Sequence, residues 1–229
     1  MQRNHQTINL FTSLLTGFLL LGLSGCATES HRVLVPEKVE SYQTAYRGQR
    51  VTMVVGNFQN RSSYMQGLFS SNSDRLGSQA KTILKTHLQQ TNRFNVVDRQ
   101  NLQQNEKEAQ FLGIKQNIKG ARYTVTGDVT EFGRKVTGDH QLFGILGSGK
   151  TQTAYAKVSL NIVDVLTSQI VYSTQGAGEY VMSNREVLGF GGTASYDATL
   201  NGKVLNFAIK ESINNMVRDI KTGVWAINQ

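Results

Sequence analysis

A glycine-rich segment has the residue spacing that points most directly to chemistry. Residues Gly144 to Thr151 read GILGSGKT and match the phosphate-loop pattern G-x-x-x-x-G-K-[ST] in full. Such a loop needs a buried strand before it and a helix after it, so that helical N–H groups point at the phosphates. The residues after Thr151 instead alternate between polar and apolar side chains, which is typical of a strand. The sequence therefore predicts a Gly-rich hairpin tip here, and we expect no bound nucleotide.

Catalytic and metal-binding patterns are otherwise lacking in the sequence. The four histidines stand alone at positions 5, 31, 87 and 140, without the spacing of metal ligands. His87 falls on the apolar stripe of a predicted helix, which favours a histidine at the edge of the core. Acidic residues are scattered along the chain. We therefore expect no enzymatic activity, no metal site and no cofactor.

Cys26 is the only cysteine, so the chain cannot form an internal disulfide. The sequence Leu23-Ser24-Gly25-Cys26 resembles the bacterial lipobox. In that motif a diacylglycerol group is attached to the thiol, the preceding residues are cut off and the new amino terminus is acylated. Small residues next to the cysteine fit the narrow cleft of the peptidase. Cys26 is therefore the predicted lipidation site, carrying acyl chains such as palmitate.

The residues before Cys26 resemble an export signal. Arg3 gives a positive amino-terminal region, and the apolar core that follows is interrupted by threonine, serine and glycine. This core falls short of the roughly 20 apolar residues of a membrane-spanning helix. We predict a lipoprotein signal peptide over residues 1–25, with a secretory signal and a chance cysteine as the alternative. Ala27, where inner-membrane retention favours Asp, indicates the outer membrane.

The net charge of the chain indicates which classes of binding partner are suitable. Lys and Arg number 24 against 16 Asp and Glu, which gives a formal net charge of +8. Basic charge suits nucleic acid or an anionic surface, but an exported lipoprotein does not meet nucleic acid. An anionic lipid or a cell-wall polymer is the better candidate, and a solvated basic surface is a simpler explanation than either.

The hydrophobic periodicity predicts alternating strands and helices. Residues 26–49 are polar and aperiodic, which predicts a lipidated tether, and residues 50–229 would form the domain. Two short helices are expected between residues 99 and 119, with a break at Gly113. Together the elements predict an α/β or α+β layered domain. The other expected elements are a strand from Arg50 to Phe58, a helix from Ser73 or Asp74, a strand from Phe94 to Asp98, strands after Tyr123 with a turn at Leu166-Thr167-Ser168, and a last helix that includes Leu205, Ile209 and Ile213.

Several segments of the sequence match motifs of a known family: Val54 to Asn60, Phe94 to Leu102, Val158 to Val165, Gly189 to Gly192 and Tyr196-Asp197. In this order they resemble the CsgG family of outer-membrane lipoproteins, which export curli subunits. The likeness extends from about residue 48 to residue 227. Each motif is weak alone, but their order and the lipobox agree with the family.

The resemblance implies a periplasmic domain, a mixed sheet flanked by helices, that assembles into a ring. Each copy would add two β-hairpins, near residues 128–154 and 174–197, to a shared barrel in the outer membrane. A loop after the first strand would narrow the pore, and Tyr64, Phe69 and Asn72 are the nearest chemical equivalents of its constriction residues. The alternative is that Tyr64 and Phe69 pack this loop onto the domain.

The predicted hairpins depart from the family pattern, because a membrane strand needs one apolar face. Glu131 and Lys135 share one face of the first hairpin, and Arg134 lies on the other. The leading hypothesis is a ring-forming export channel for curli-like fibre subunits that needs no ATP. The alternative is a lipoprotein without a channel, whose periplasmic domain binds a cell-wall or surface-adhesion protein.

Overall fold

The computed structural model describes residues 36–64, 74–140, 148–186 and 199–227. Residues 37–229 belong to one compact unit, and its described part contains five strands and three helices. In chain order these are β1 (Val51–Asn60), α1 (Arg75–Gln90), β2 (Phe94–Val97), α2 (Leu102–Phe111), β3 (Tyr123–His140), β4 (Ser148–Asp164), β5 (Ile170–Glu186) and α3 (Thr199–Thr222).

The strands form one mixed sheet in the order β2-β1-β3-β4-β5. β1 pairs in parallel with β2 and β3, whereas β4 is antiparallel to both β3 and β5. The connection from β1 through α1 leads to β2 on one side of β1, whereas the connection from β2 through α2 leads back to β3 on the other side of β1. Right-handed crossovers therefore place α1 and α2 on opposite faces of the sheet. The predicted mixed α/β layered fold is confirmed.

The core lies between the sheet and the pair formed by α1 and α3. Two glycines in β5 let α3 approach closely: a Cβ on Gly176 would lie 2.2 Å from the Ala208 carbonyl oxygen, and one on Gly178 would lie 2.6 Å from the Phe207 Cβ. His87 is buried, and its Nε2 lies 2.7 Å from the Asn206 Oδ1, so it joins α1 to α3. Other fully buried side chains are Met53, Leu84, Phe94, Val125, Leu160, Ile162, Leu205, Ile209, Ile213 and Met216.

The turn between β4 and β5 is organised by Asp164. Its carboxylate accepts hydrogen bonds from the N–H groups of Leu166 (2.8 Å) and Thr167 (3.2 Å) and pairs with Arg122 at 2.7 Å. Burial opposes ionisation of this carboxyl, but these donors outweigh it and lower its pKa below the ordinary value. Ser168 completes the turn in the left-handed region, at φ 58°. The turn predicted at residues 166–168 is therefore confirmed.

Only the first of the two helices predicted between residues 99 and 119 is present. α2 ends at Phe111, Gly113 follows with φ 68°, and the chain continues to residue 120 without helix. The prediction of a second helix was wrong. The six residues between Gly113 and Gly120 are too few to offset the cost of starting a helix without tertiary support.

The compact unit begins at Glu37, within the segment predicted as a tether. Val39 is buried in the core, at 2% exposure, and the Glu40 N–H donates to the Asn214 Oδ1 at 3.1 Å. Glu37 forms an ion pair with Lys210 of α3. The apolar anchors in this segment are Val39 and the partly buried Tyr42, which are too few to produce a periodic signal in the sequence.

Candidate functional site: the outer strands and the loop after β1

Both ends of the predicted constriction loop are joined by Asp74. One carboxylate oxygen accepts from the N–H of Asn60, the last residue of β1, at 2.7 Å. The other accepts from the N–H of Gly77 in the first turn of α1, also at 2.7 Å, so Asp74 caps that helix as predicted. The loop between residues 60 and 74 is thus closed at its base by one side chain.

Tyr64 packs onto the sheet at the start of this loop. Its ring centroid lies 4.5 Å from that of Phe132 in β3, at an interplanar angle of 44°. The Asn60 side-chain amide donates to the Tyr64 carbonyl oxygen at 2.9 Å, and the Asn60 Oδ1 accepts from the Ser62 hydroxyl at 2.6 Å. The ring contact between Tyr64 and Phe132 agrees with the alternative in which Tyr64 packs the loop onto the domain. A constriction role for Tyr64 stays a prediction. Phe69, Asn72 and the predicted lipidation site Cys26 lie outside the described residues.

Replacing Asp74 with alanine tests this closure. The substitution leaves the N–H groups of Asn60 and Gly77 without their shared acceptor. We expect the free energy of unfolding to fall by about 2 kcal/mol, the cost of a lost helix cap and a second lost bond. Chemical denaturation measures the change. Asp74→Asn retains one acceptor oxygen and should recover part of the loss, and equal stability of both variants and the wild type would contradict the role of the carboxylate.

The outer parts of β3, β4 and β5 continue beyond the end of β1. After a bulge near Thr130, β3 pairs with β4 from Glu131↔Lys157 to His140↔Ser148, and β4 pairs with β5 as far as Ser148↔Glu186. The first predicted hairpin, near residues 128–154, corresponds to this outer part of β3 and β4. β5 covers the second predicted hairpin up to residue 186, and residues 187–197 lie outside the described part.

Side chains on the two faces of these outer strands are mixed, as the sequence indicated. Val136, Tyr155 and Val181 are exposed, at 64%, 44% and 54%. The strand register gives the neighbours. On one face, Ala154 lies between Arg134 and Tyr180, and Gln152 lies between Val136 and Met182. On the other face, Thr153 lies between Lys135 and Val181.

The segment that resembles a phosphate loop runs into a strand. Residues 148–151 belong to β4, so the strand predicted after the Lys150-Thr151 pair is confirmed, and residues 144–147 lie outside the described part. The described residues contain no cluster of three metal-binding side chains. None of the helices in the described part of the chain has the length and apolar character needed to span a bilayer.

Comparison with known proteins decides the family. The family model described as "Curli production assembly/transport component CsgG" matches residues 37–229. The chain belongs to the CsgG family. The match begins at the same residue as the compact unit. A predicted lipoprotein of Neisseria meningitidis serogroup B is 61% identical over 218 residues, which cover 95% of this chain and 98% of that protein.

Solved structures of low identity are also similar to this CsgG-family chain. A PelC dodecamer from Paraburkholderia phytofirmans is 14% identical, with a TM-score of 0.34 over 72% of this chain and 87% of that one. Lipoprotein GNA1162 from Neisseria meningitidis is 14% identical, with a TM-score of 0.30 over 75% and 99%. At these TM-scores the similarities are weak, and the fold is described from this chain alone.

Proposed function

We propose that this CsgG-family protein is an outer-membrane lipoprotein, anchored through acylated Cys26, whose copies form a ring that exports fibre subunits without nucleotide hydrolysis. One observation carries the proposal. Beyond the core residues Phe132 and Ala154, β3 and β4 stay paired as far as His140 and Ser148, which supplies part of the roughly 9–11 residues that a membrane strand needs. The proposed role requires no enzymatic activity, and the Gly-rich segment would serve as a hairpin tip.

The edges of the outer strands support assembly from several copies. β1 pairs with β3 only as far as Asn60↔Val129, so β3 beyond that point has no partner on this side among the described strands. β5 forms the other edge of the described sheet. Two long free edges are a liability in a monomer, and strands from neighbouring copies would satisfy them.

The amino-terminal end of the domain is also compatible with a lipid anchor near the outer strands. Glu37 pairs with Lys210, and Phe207, one turn earlier in α3, stacks on Tyr180 of β5 at 6.2 Å. From Tyr180 the strand continues for about 20 Å to Glu186. Cys26 precedes Glu37 by eleven positions, a stretch that spans at most about 40 Å. Lipid on Cys26 can therefore reach the bilayer that the hairpins would enter.

The second candidate is a lipoprotein without a channel that binds an envelope protein, such as a cell-wall or surface-adhesion component. The mixed faces of the outer strands favour it, because Lys135 and Arg134 lie on opposite faces. Charged side chains that face lipid are costly at the bilayer midplane and tolerable near its surface.

Electron microscopy distinguishes the two candidates. The full chain would be expressed with its signal peptide, extracted from the outer membrane in mild detergent and imaged. We expect closed rings with a central opening. A uniform population of monomers would overturn the channel and favour the second candidate, and recovery from the inner membrane would contradict the proposed location.

A further inference from the structure

α2 makes few contacts with the rest of its own fold. It contains ten residues, and Ala109 is its single buried side chain. An isolated helix of this length is marginal in water, because short helices do not repay the cost of nucleation. The described part of the fold therefore gives α2 little support, and a further surface would stabilise it.

The end of α2 and the residues after it expose a large apolar surface. Phe111, Leu112, Ile114 and Ile118 are exposed at 83%, 73%, 60% and 53%. Side chains of this size at these fractions together expose roughly 400–500 Å². The largest apolar patch on a typical monomer has about this extent and is often functional. We call these four residues the α2 patch.

A second apolar surface lies at the turn between β4 and β5. Val165, Leu166, Ile170 and Val171 are exposed at 49%, 76%, 60% and 39%. No charged residue occurs between positions 165 and 172. We call these four residues the turn patch, and its apolar area is of the same order as that of the α2 patch.

We infer that the α2 patch of one copy packs against the turn patch of a second copy of this chain. Together the two surfaces approach the roughly 1,000 Å² that a specific interface requires. A contact between two different patches can be head-to-tail, which is the type of contact that generates a ring when it closes. The inference rests on the proposed function, since it names the periplasmic contact of the proposed ring.

A membrane is the less suitable occupant. The turn patch lies at the Asp164 end of β4, and the outer strands proposed to enter the bilayer lie at the Ser148 end of the same strand. The seventeen residues of β4 separate these ends by about 55 Å.

Photo-crosslinking in the detergent-extracted full chain tests the contact. A benzophenone amino acid replaces Phe111. Copies of natural isotope composition are mixed with copies that carry a heavy isotope before irradiation, so that mass spectrometry distinguishes crosslinks between copies from crosslinks within one copy. We expect crosslinks between copies, from position 111 to residues 165–171. Crosslinks within one copy, to lipid or to another protein would overturn the inference. A wild-type protein that is monomeric would overturn both the inference and the ring, whereas rings crosslinked elsewhere would overturn only the inference.

Substitution at the α2 patch gives an independent measurement. The double variant Phe111→Ser, Leu112→Ser should raise the apparent dissociation constant of the oligomer at least tenfold, as expected for buried interface anchors. Val224→Ser is the matched control, because Val224 is equally exposed, at 74%, and belongs to neither patch. Mass photometry measures the oligomer and circular dichroism checks the fold. Equal dissociation constants for the double variant and the control would contradict the contact.

Discussion

Replacing Cys26 with alanine is expected to abolish acylation and to leave the chain at its precursor length. The chain contains no other thiol, so no second residue can accept the diacylglycerol group. Without that group we expect the predicted signal peptide to stay attached and the protein not to reach the outer membrane proposed for it. Metabolic labelling with radioactive palmitate measures the first effect, and a mass measurement of the recovered protein measures the second.

The control for this substitution is Ser24→Ala, which keeps a small residue two positions before Cys26, close to the predicted cleavage site. We expect that variant to be labelled and cut like the wild type. Label that persists in the Cys26→Ala variant would show that the lipobox resemblance is misleading. Loss of label in both variants would show that the assay reports on export rather than on the thiol.

Substitution of Gly176 with alanine should cause a large loss of stability. An added Cβ would lie 2.2 Å from the Ala208 carbonyl oxygen and 2.5 Å from the Ser212 backbone nitrogen. Both obstacles are main-chain atoms of α3, so the helix has to move away from the sheet. We expect the free energy of unfolding to fall by about 3 kcal/mol, at the upper end for overpacked cores. In a domain of this size the melting temperature should fall by roughly 6–12 °C.

Gly120→Ala is the matched control, because no atom lies within 4 Å of the position of its added Cβ. It should change the melting temperature little. Thermal unfolding of the mature chain, followed by circular dichroism, compares both variants with the wild type. A loss below 0.5 kcal/mol for Gly176→Ala would mean that α3 and β5 are less closely packed than described.

Sequence periodicity predicted the elements whose signals are local. The alternation along β4 is visible because its inward side chains, such as Ala156, Val158 and Leu160, are all buried. The start of α1 at Asp74 follows from cap chemistry that involves only neighbouring residues. The second helix after Gly113 failed as a prediction because its formation depends on tertiary support, which periodicity does not measure.

The candidate site was only partly accessible from the sequence. The positions of the outer hairpins came from the family resemblance, and the strand register then gave their length and their mixed faces. The contact between Tyr64 and Phe132 joins residues far apart in the chain, so no local pattern predicts it. The exposed residues of the α2 patch would count as core residues in any hydrophobicity pattern, since burial is not a property of residue type.

The sequence by itself predicts the attachment chemistry and most of the order of elements. A single thiol in a lipobox-like segment is chemistry carried by adjacent residues, and it predicts the anchor at Cys26 without a fold. Only the tertiary structure decided where the domain begins, because Val39 is buried by residues distant in the chain. It also decided that α2 stands with its apolar end exposed, since exposure depends on what the rest of the fold covers.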